Sequence, residues 1–146
     1  QINASFFDSS DQALGKKIID DDEHVELILE SLFEATNHPG GTSYRSRIPG
    51  TMKIAGKTGT AQVRKISESQ REQDLKNKDL PWKFRDHSLF TGYGPADNPK
   101  YAISVIIEHG GTGSSAAAPI AKKVLKKVMD RHQLRKKYQL DLFQEV

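Results

Sequence analysis

The sequence predicts an α+β domain, an antiparallel sheet of about three main strands flanked by helices on one or both faces. Apolar residues recur at helical spacing twice, as Val25, Ile28, Leu29, Leu32, Phe33 and Ala35 and as Ala117, Ile120, Ala121, Val124, Leu125 and Val128. Residues 52–65 alternate as a strand does, with Ile54, Thr58, Thr60 and Gln62 on one face and Ala55, Lys57, Ala61 and Val63 on the other. Two more β-prone runs, 87–93 and 101–108, flank Gly94-Pro95-Ala96-Asp97-Asn98-Pro99, a turn-forming string that reads as the bend of a hairpin.

In chain order, residues 2–7 form a short β-prone run, Asp8-Ser9-Ser10-Asp11 a turn, and 15–19 a further short strand. Asp20 to Glu23 supply the acidic residues a helix N-terminus favours, with Glu23 three residues after Asp20. Glu26, Glu30 and Glu34 then line the polar side of the first helix. Asn37-His38-Pro39-Gly40-Gly41 ends it, because proline cannot continue a helix and glycine accepts the terminal left-handed turn. Residues 42–50 lead as a loop into the central strand. The 66–85 stretch is the most polar, holds a Leu80-Pro81-Trp82 turn, and has room for a short solvated helix but no residue that looks catalytic. His109-Gly110-Gly111-Thr112-Gly113 reads as a flexible loop before the second long helix. From Gln133 the chain is charged, and it either frays or docks elsewhere.

The chain has 146 residues, enough for one domain with a core but short for two. Hydrophobic residues make up 36 % and charged residues 28 %, the balance of globular material. Net charge is only +3, much of the excess lies at 122–137, and no aromatics are interleaved as a nucleic-acid surface requires. No apolar run approaches the length of a membrane span. With no cysteine, disulfides and thiolate metal sites are excluded, and either cytoplasm or periplasm fits. The opening at Gln1, with neither initiator methionine nor leader, is what a piece of a longer protein would look like.

The chemistry concentrates in Gly56-Lys57-Thr58-Gly59-Thr60-Ala61-Gln62. A lysine and two hydroxyls around a glycine suit recognition of a small carboxylate lying against the backbone. Neighbouring residues of a strand point to opposite faces, so Lys57 and Thr58 can serve one ligand only along the strand's edge. An edge offers unpaired N–H and C=O groups to which a peptide can add as an extra strand. Gly59 carries no side chain to block that approach, and the N–H of Thr60 is placed to donate to a developing oxyanion. Against this stands the plain alternative, since Lys and Thr on a strand are most often a solvated face.

Gly56 to Gln62 with Val63 resembles the third motif of class B penicillin-binding proteins, the D,D-transpeptidases that crosslink peptidoglycan. The similarity continues through Asn37-His38-Pro39-Gly40-Gly41-Thr42, Arg47-Ile48-Pro49-Gly50, Arg85-Asp86-His87, Asn98-Pro99-Lys100-Tyr101-Ala102-Ile103, Glu108-His109-Gly110-Gly111 and Ala117-Ala118-Pro119. Arg85-Asp86-His87 and Glu108-His109-Gly110-Gly111 look most like the elongation-type enzyme, penicillin-binding protein 2. The resemblance covers roughly residues 20–130 and implies a fold of the penicillin-binding-protein and serine β-lactamase kind. It implies that Lys57 holds the proton network and the negative substrate end, that Thr58 and Thr60 bind the terminal carboxylate of a D-Ala-D-Ala stem peptide or a β-lactam, and that the Thr60 N–H forms half of the oxyanion hole. Lys57 and Thr60 are thus the expected catalytic residues, and Lys57, Thr58, Gly59 and Thr60 the substrate-binding set. No cofactor or metal is implied.

The chain departs from the family at one decisive point. No serine is followed three residues later by lysine, and no S-x-N occurs, so the first two motifs of the family are absent. Residues 1–146 are therefore expected to be the C-terminal part of one transpeptidase domain, inactive alone. Its implied partners are the N-terminal part of the same domain, elongation-complex proteins, and a second copy pairing through the open sheet edge. Its implied location is the periplasmic face of the bacterial inner membrane, with the anchor outside this chain. Two readings share K-T-G: a serine β-lactamase or β-lactam-sensor fragment, and a non-catalytic interaction module.

Elsewhere the signals are bland. His24, His38, His87, His109 and His132 have no metal-ligand spacing, and His87 beside Asp86 suits a structural hydrogen bond. The 110–113 loop lacks the fingerprint of a phosphate loop and reads as a connector near the site entrance. The lysine pairs at 122–127 and the basic 135–137 run suit a solvated helix face, with anionic lipid as a weaker alternative. Tyr44 and Arg45 either line the cleft or pack.

Overall fold

The computed structural model describes residues 21–63 and 77–137. The strands expected at 2–7 and 15–19, the turn between them, most of the polar stretch and the tail beyond 137 lie outside the described residues. Helix α1 runs Asp22–Asn37, strands β1, β2 and β3 run Ala55–Ala61, His87–Gly94 and Tyr101–Ile107, and helix α2 runs Ala117–Lys137. Single 3₁₀ turns lie at Tyr44–Ser46, Asn77–Asp79 and Trp82–Phe84.

The three strands form one antiparallel sheet in the order β1-β2-β3. Ala55 pairs with Tyr93 and Ala61 with His87, while Ser88 pairs with Ile107 and Gly94 with Tyr101. β1 is shorter than the 52–65 alternation suggests, because its partner runs out: β2 begins opposite Ala61 and ends at Gly94, ahead of Pro95. A ladder stops where it has no strand to bond to, whatever the pattern of the next residues.

Side-chain parity assigns the faces. Thr58 and Thr60 of β1 share a face with their partners Phe90 and Ser88 of β2 and with Val105 and Ile107 of β3. α2 covers that face. Ala117, Ala118 and Ala121 close over Phe90, and beside them Leu125 and Met129 pack with Ile48 and Ile54. Small residues at the start of α2 let the helix approach the sheet closely, and Gly92 leaves room for the Phe90 ring beside the Ala55 carbonyl. The buried stripe of α2 is therefore rotated from the expected one: Ala118 and Met129 are inside, while Ile120 and Val124 are exposed.

α1 begins one residue later than expected. Asp21, not Asp20, is the N-cap, and its carboxylate accepts from the N–H groups of Glu23 and His24. The C-terminal turn of α1 touches β1, but Ile28 and Leu29 of the expected apolar stripe are exposed, as is Leu27 beside them, and only Thr36 is fully buried. α2 continues past Gln133 to Lys137.

Phe90, between sheet and helix, is the largest fully buried side chain among the described residues. Phe90→Ala is expected to lower stability by about 3–5 kcal/mol, read as a reduced urea midpoint with an unchanged m-value. A loss below about 1 kcal/mol would mean that α2 does not pack on β2 in solution.

Candidate functional site

The outer edge of β1 is half closed and half open. Asn37 Nδ2 donates to the Ile54 carbonyl at 2.9 Å, and Thr36 Oγ1 donates to the Gly56 carbonyl at 3.1 Å. Both carbonyls therefore face away from β2. In an antiparallel strand a residue's N–H and C=O point the same way and successive residues alternate. The N–H and C=O of Thr58 and Thr60 accordingly face the same outer side, past the point where α1 has ended.

The side chains at that open half are unequal. Lys57 is exposed and its Nζ donates to the Thr58 carbonyl at 3.0 Å. Among the described residues no carboxylate pairs with it, so its charge is not neutralised. Thr58 Oγ1 donates to Thr42 Oγ1 at 3.0 Å. Thr60 is exposed, and its hydroxyl makes no hydrogen bond among the described residues. Lys57 and Thr42 both line a cleft of about 550 Å³ between α1 and β1, with Glu30, Glu34 and His38 on its far wall.

Beneath the open edge, the 110–113 loop is fastened to the sheet. Ser88, opposite Thr60 and fully buried, donates from Oγ to the Thr112 carbonyl at 2.8 Å and accepts from the Ala117 N–H at 2.9 Å. Gly113 lies so near the backbones of Leu89 and Gly59 that a Cβ there would collide with both. Further out, the Gly111 N–H donates to the Asp86 carbonyl at 2.9 Å. His109 adopts a left-handed φ of 54°, with its ring 4.4 Å from Trp82 and 4.8 Å from His87. His87 does make the structural hydrogen bond expected of it, but its Nδ1 accepts from the His109 N–H rather than serving Asp86.

Residues 2–126 match the family model described as penicillin binding protein transpeptidase domain. The chain belongs to the penicillin-binding protein transpeptidase family. Among curated relatives, it is 43 % identical over 105 residues to peptidoglycan D,D-transpeptidase MrdA of Acinetobacter baumannii, covering 70 % of this chain and 14 % of that protein. It is 36 % identical over 104 residues to MrdA of Salmonella typhimurium, covering 71 % of this chain and 16 % of that protein. It thus spans about one sixth of the length of that relative. Among solved structures, PBP2 of Helicobacter pylori, in a complex with MreC, superimposes with a TM-score of 0.60 at 30 % identity over 74 % of this chain and 17 % of that chain. PBP2 of Pseudomonas aeruginosa, in complex with WCK 5153, gives 0.54 at 31 % identity over 74 % of this chain and 19 % of that one. The fold is that of a penicillin-binding protein transpeptidase domain, as the sequence resemblance implied.

Lys57, Thr58, Gly59 and Thr60 thus lie together on the open half of the edge. Sequence reasoning missed the residues that build that half: Thr36 and Asn37, which close the other end, Thr42, which takes up the Thr58 hydroxyl, and Ser88, which anchors the loop. Their hydroxyls and amide bond across the fold, and no periodicity signals such contacts. Tyr44 packs rather than lining the cleft, with the Arg47 guanidinium 3.9 Å above its ring. Arg45 is exposed and is not among the residues of the cleft between α1 and β1.

Ser88→Ala removes the acceptor of a buried N–H and the donor to a loop carbonyl at once. The expected cost is about 1–3 kcal/mol of stability by urea unfolding, with faster amide exchange at Ala117, whose N–H loses its acceptor. Unchanged exchange at Ala117 would detach the start of α2 from Ser88.

Proposed function

We propose that β1 is the substrate strand of a peptidoglycan D,D-transpeptidase, and that this chain is the C-terminal part of one transpeptidase domain whose serine nucleophile lies elsewhere in the protein. The observation that carries this reading is the open half-edge: among the described residues, Lys57 has no carboxylate partner, and beside it Thr60 turns its N–H outward with its hydroxyl unbonded, in a chain of this family.

The chemistry follows from that arrangement. A D-Ala-D-Ala stem peptide, or a β-lactam in its place, lies along the edge against Gly59, with its terminal carboxylate facing the Lys57 ammonium and the Thr60 hydroxyl. Thr58 gives its hydrogen to Thr42, so the Thr42 hydroxyl is free to donate in turn, and the carboxylate receives donors from a short hydroxyl chain. As the nucleophile attacks the scissile carbonyl, negative charge grows on its oxygen, and the outward Thr60 N–H stabilises it as half of an oxyanion hole. Lys57 lowers the energy of the same charge and helps hold the proton network. No cofactor is needed for acyl transfer of this kind.

The periplasmic face of the inner membrane is where such a substrate is found, with the anchor in another part of the protein. The Helicobacter pylori PBP2–MreC complex supports an elongation-complex partner for the whole protein. Since no S-x-x-K occurs in these 146 residues, the chain alone has no acylation centre.

Two measurements test the reading. After incubation with penicillin, intact mass of the denatured 146-residue chain is expected to be unchanged, and an adduct on any of its serines would overturn the placement of the nucleophile. In the full-length protein, Lys57→Ala is expected to slow penicillin acylation by about a hundredfold or more. Acylation within about threefold of the wild-type rate would remove Lys57 from the mechanism.

A further inference from the structure

The start of β2 fastens the loop beneath the β1 edge at three consecutive residues. The Asp86 carbonyl accepts from the Gly111 N–H at 2.9 Å, His87 Nδ1 accepts from the His109 N–H at 2.9 Å, and Ser88 Oγ donates to the Thr112 carbonyl at 2.8 Å. A carbonyl and a hydroxyl keep these roles across the ordinary pH range. An imidazole does not, because it is the side chain that changes charge between about pH 5 and 8. Of the three fastenings, only the one at His87 can be undone by a proton.

The partners fix where the hydrogens sit. His87 Nδ1 faces an N–H donor, so that nitrogen is bare and the ring neutral, with its hydrogen on Nε2. A second proton would set N–H against N–H and break the bond. His109 Nδ1 lies 2.9 Å from the Arg85 carbonyl, which can only accept, so that nitrogen carries its hydrogen whether its ring is neutral or charged. The two rings meet edge-on at 4.8 Å, and a charge on one opposes a charge on the other. His87 is the acid-sensitive member of the pair.

The other charges around His87 are committed elsewhere or lie in solvent. Asp86 Oδ2 accepts from Asn77 Nδ2 at 2.8 Å, and the Arg85 guanidinium donates to the carbonyls of Leu80 and Lys78. Among the described residues, Lys78, Asp79, Lys83 and Glu108 on the flanking segments are exposed, and β1 sets the uncharged Ala61 opposite His87. No carboxylate among the described residues bonds the His87 ring, so none holds its charged form. The turn that the ring holds is a strained one. His109 has a left-handed φ of 54°, which a residue with a side chain takes rarely and keeps only where its surroundings impose it. That turn leads into the 110–113 loop, whose Gly113 is seated against Gly59.

We propose that His87 is a positioning residue for the β1 cleft, acting as a proton-operated latch on the 109–113 loop. With a neutral ring it holds the left-handed turn at His109, and through that turn the loop that lies against Gly59. Once the ring is protonated, the bond to the His109 N–H is lost and the loop loosens. The closed form binds fewer protons, so closure is complete at high pH and is lost as pH falls. A strand above a loosened floor presents Thr60 to the substrate less accurately. That consequence rests on the transpeptidase reading, whereas the latch itself does not.

The test compares full-length wild type, His87→Asn and His87→Ala near pH 8 and near pH 5, the limits between which an imidazole changes charge. Asparagine Oδ1 takes the place of Nδ1 and accepts the same N–H, but has no proton to gain. The ratio of the His87→Asn to the wild-type rate of penicillin acylation cancels every titration that the two proteins share. It is expected to be near unity at the higher pH and roughly fivefold at the lower. His87→Ala, without the acceptor, is expected to be slower than wild type by a similar factor at the higher pH. Amide exchange at 109–113, followed by mass spectrometry, is expected to match between wild type and His87→Asn at the higher pH and to be faster in wild type at the lower. A rate ratio that does not change with pH overturns the proposal. So does a His87→Asn protein as slow as His87→Ala at the higher pH, because the imidazole would then serve by its shape. Exchange that shifts without a change in the rate ratio overturns the positioning role. If penicillin acylates none of the three, the transpeptidase reading fails and the positioning role with it, while equal exchange in wild type and His87→Asn at the lower pH is what overturns the latch.

Discussion

The buried hydroxyl of Ser88 is the point on which the rest of the site depends. A strand interior offers few ways to attach a loop and a helix to a sheet at one place, because backbone groups there are committed to the ladder. Ser88 does so with one atom, donating to Thr112 and accepting from the first N–H of α2. The N-terminal turn of a helix has no internal partners for its N–H groups, so this bond satisfies one of them while fixing where α2 starts. With the start of α2 fixed, Ala117, Ala118 and Ala121 lie over Phe90, and Gly113 has nowhere to go but against Gly59. Core packing and the floor of the cleft are thus consequences of the same bond.

The electrostatic layout is complementary to that framework. Across the described residues, cations that pair with carboxylates are rare on the cleft side, whereas Lys126 and Asp130 pair on the outside of α2 at 2.6 Å. Lys57 and Lys78 keep their charges unpaired, and Arg85 spends its donors on backbone carbonyls instead. An unpaired cation on a concave surface attracts anions, an effect that Glu30 and Glu34 on the far wall of the β1 cleft oppose. Such an arrangement costs folding stability little at exposed positions, while a paired lysine would first have to break its bridge to meet a ligand.

Much of the fold was legible in the sequence, for identifiable reasons. The hairpin of β2 and β3 follows from two alternating runs around the 94–99 turn, and both long helices follow from apolar spacing. What periodicity could not supply were the limits imposed by partners. β1 ends where β2 begins, a fact about residue 87 rather than residue 62. Three consecutive aspartates at 20–22 leave the choice of N-cap to geometry, which picks Asp21. Ile28 and Leu29 belong to the pattern of a buried stripe but lie exposed, because the pattern records that something is to be covered without saying by what. The K-T-G stretch was legible through resemblance alone, since its residue types also describe an ordinary solvated strand.

The two α1 side chains that cap β1 have a bearing on how the molecule avoids its own kind. A bare edge strand invites any extended chain to pair along its full length, and long edges of that sort are where sheets fuse into fibres. Thr36 and Asn37 occupy the carbonyls at one end, and Lys57 folds its ammonium onto the Thr58 carbonyl. What is left unblocked is a stretch only a few residues long, with a lysine and exposed threonines at its margin. A strand added there would gain only the few bonds of that stretch, whereas β3 has no strand on its outer side among the described residues. The same geometry thus limits how long a strand can pair along β1.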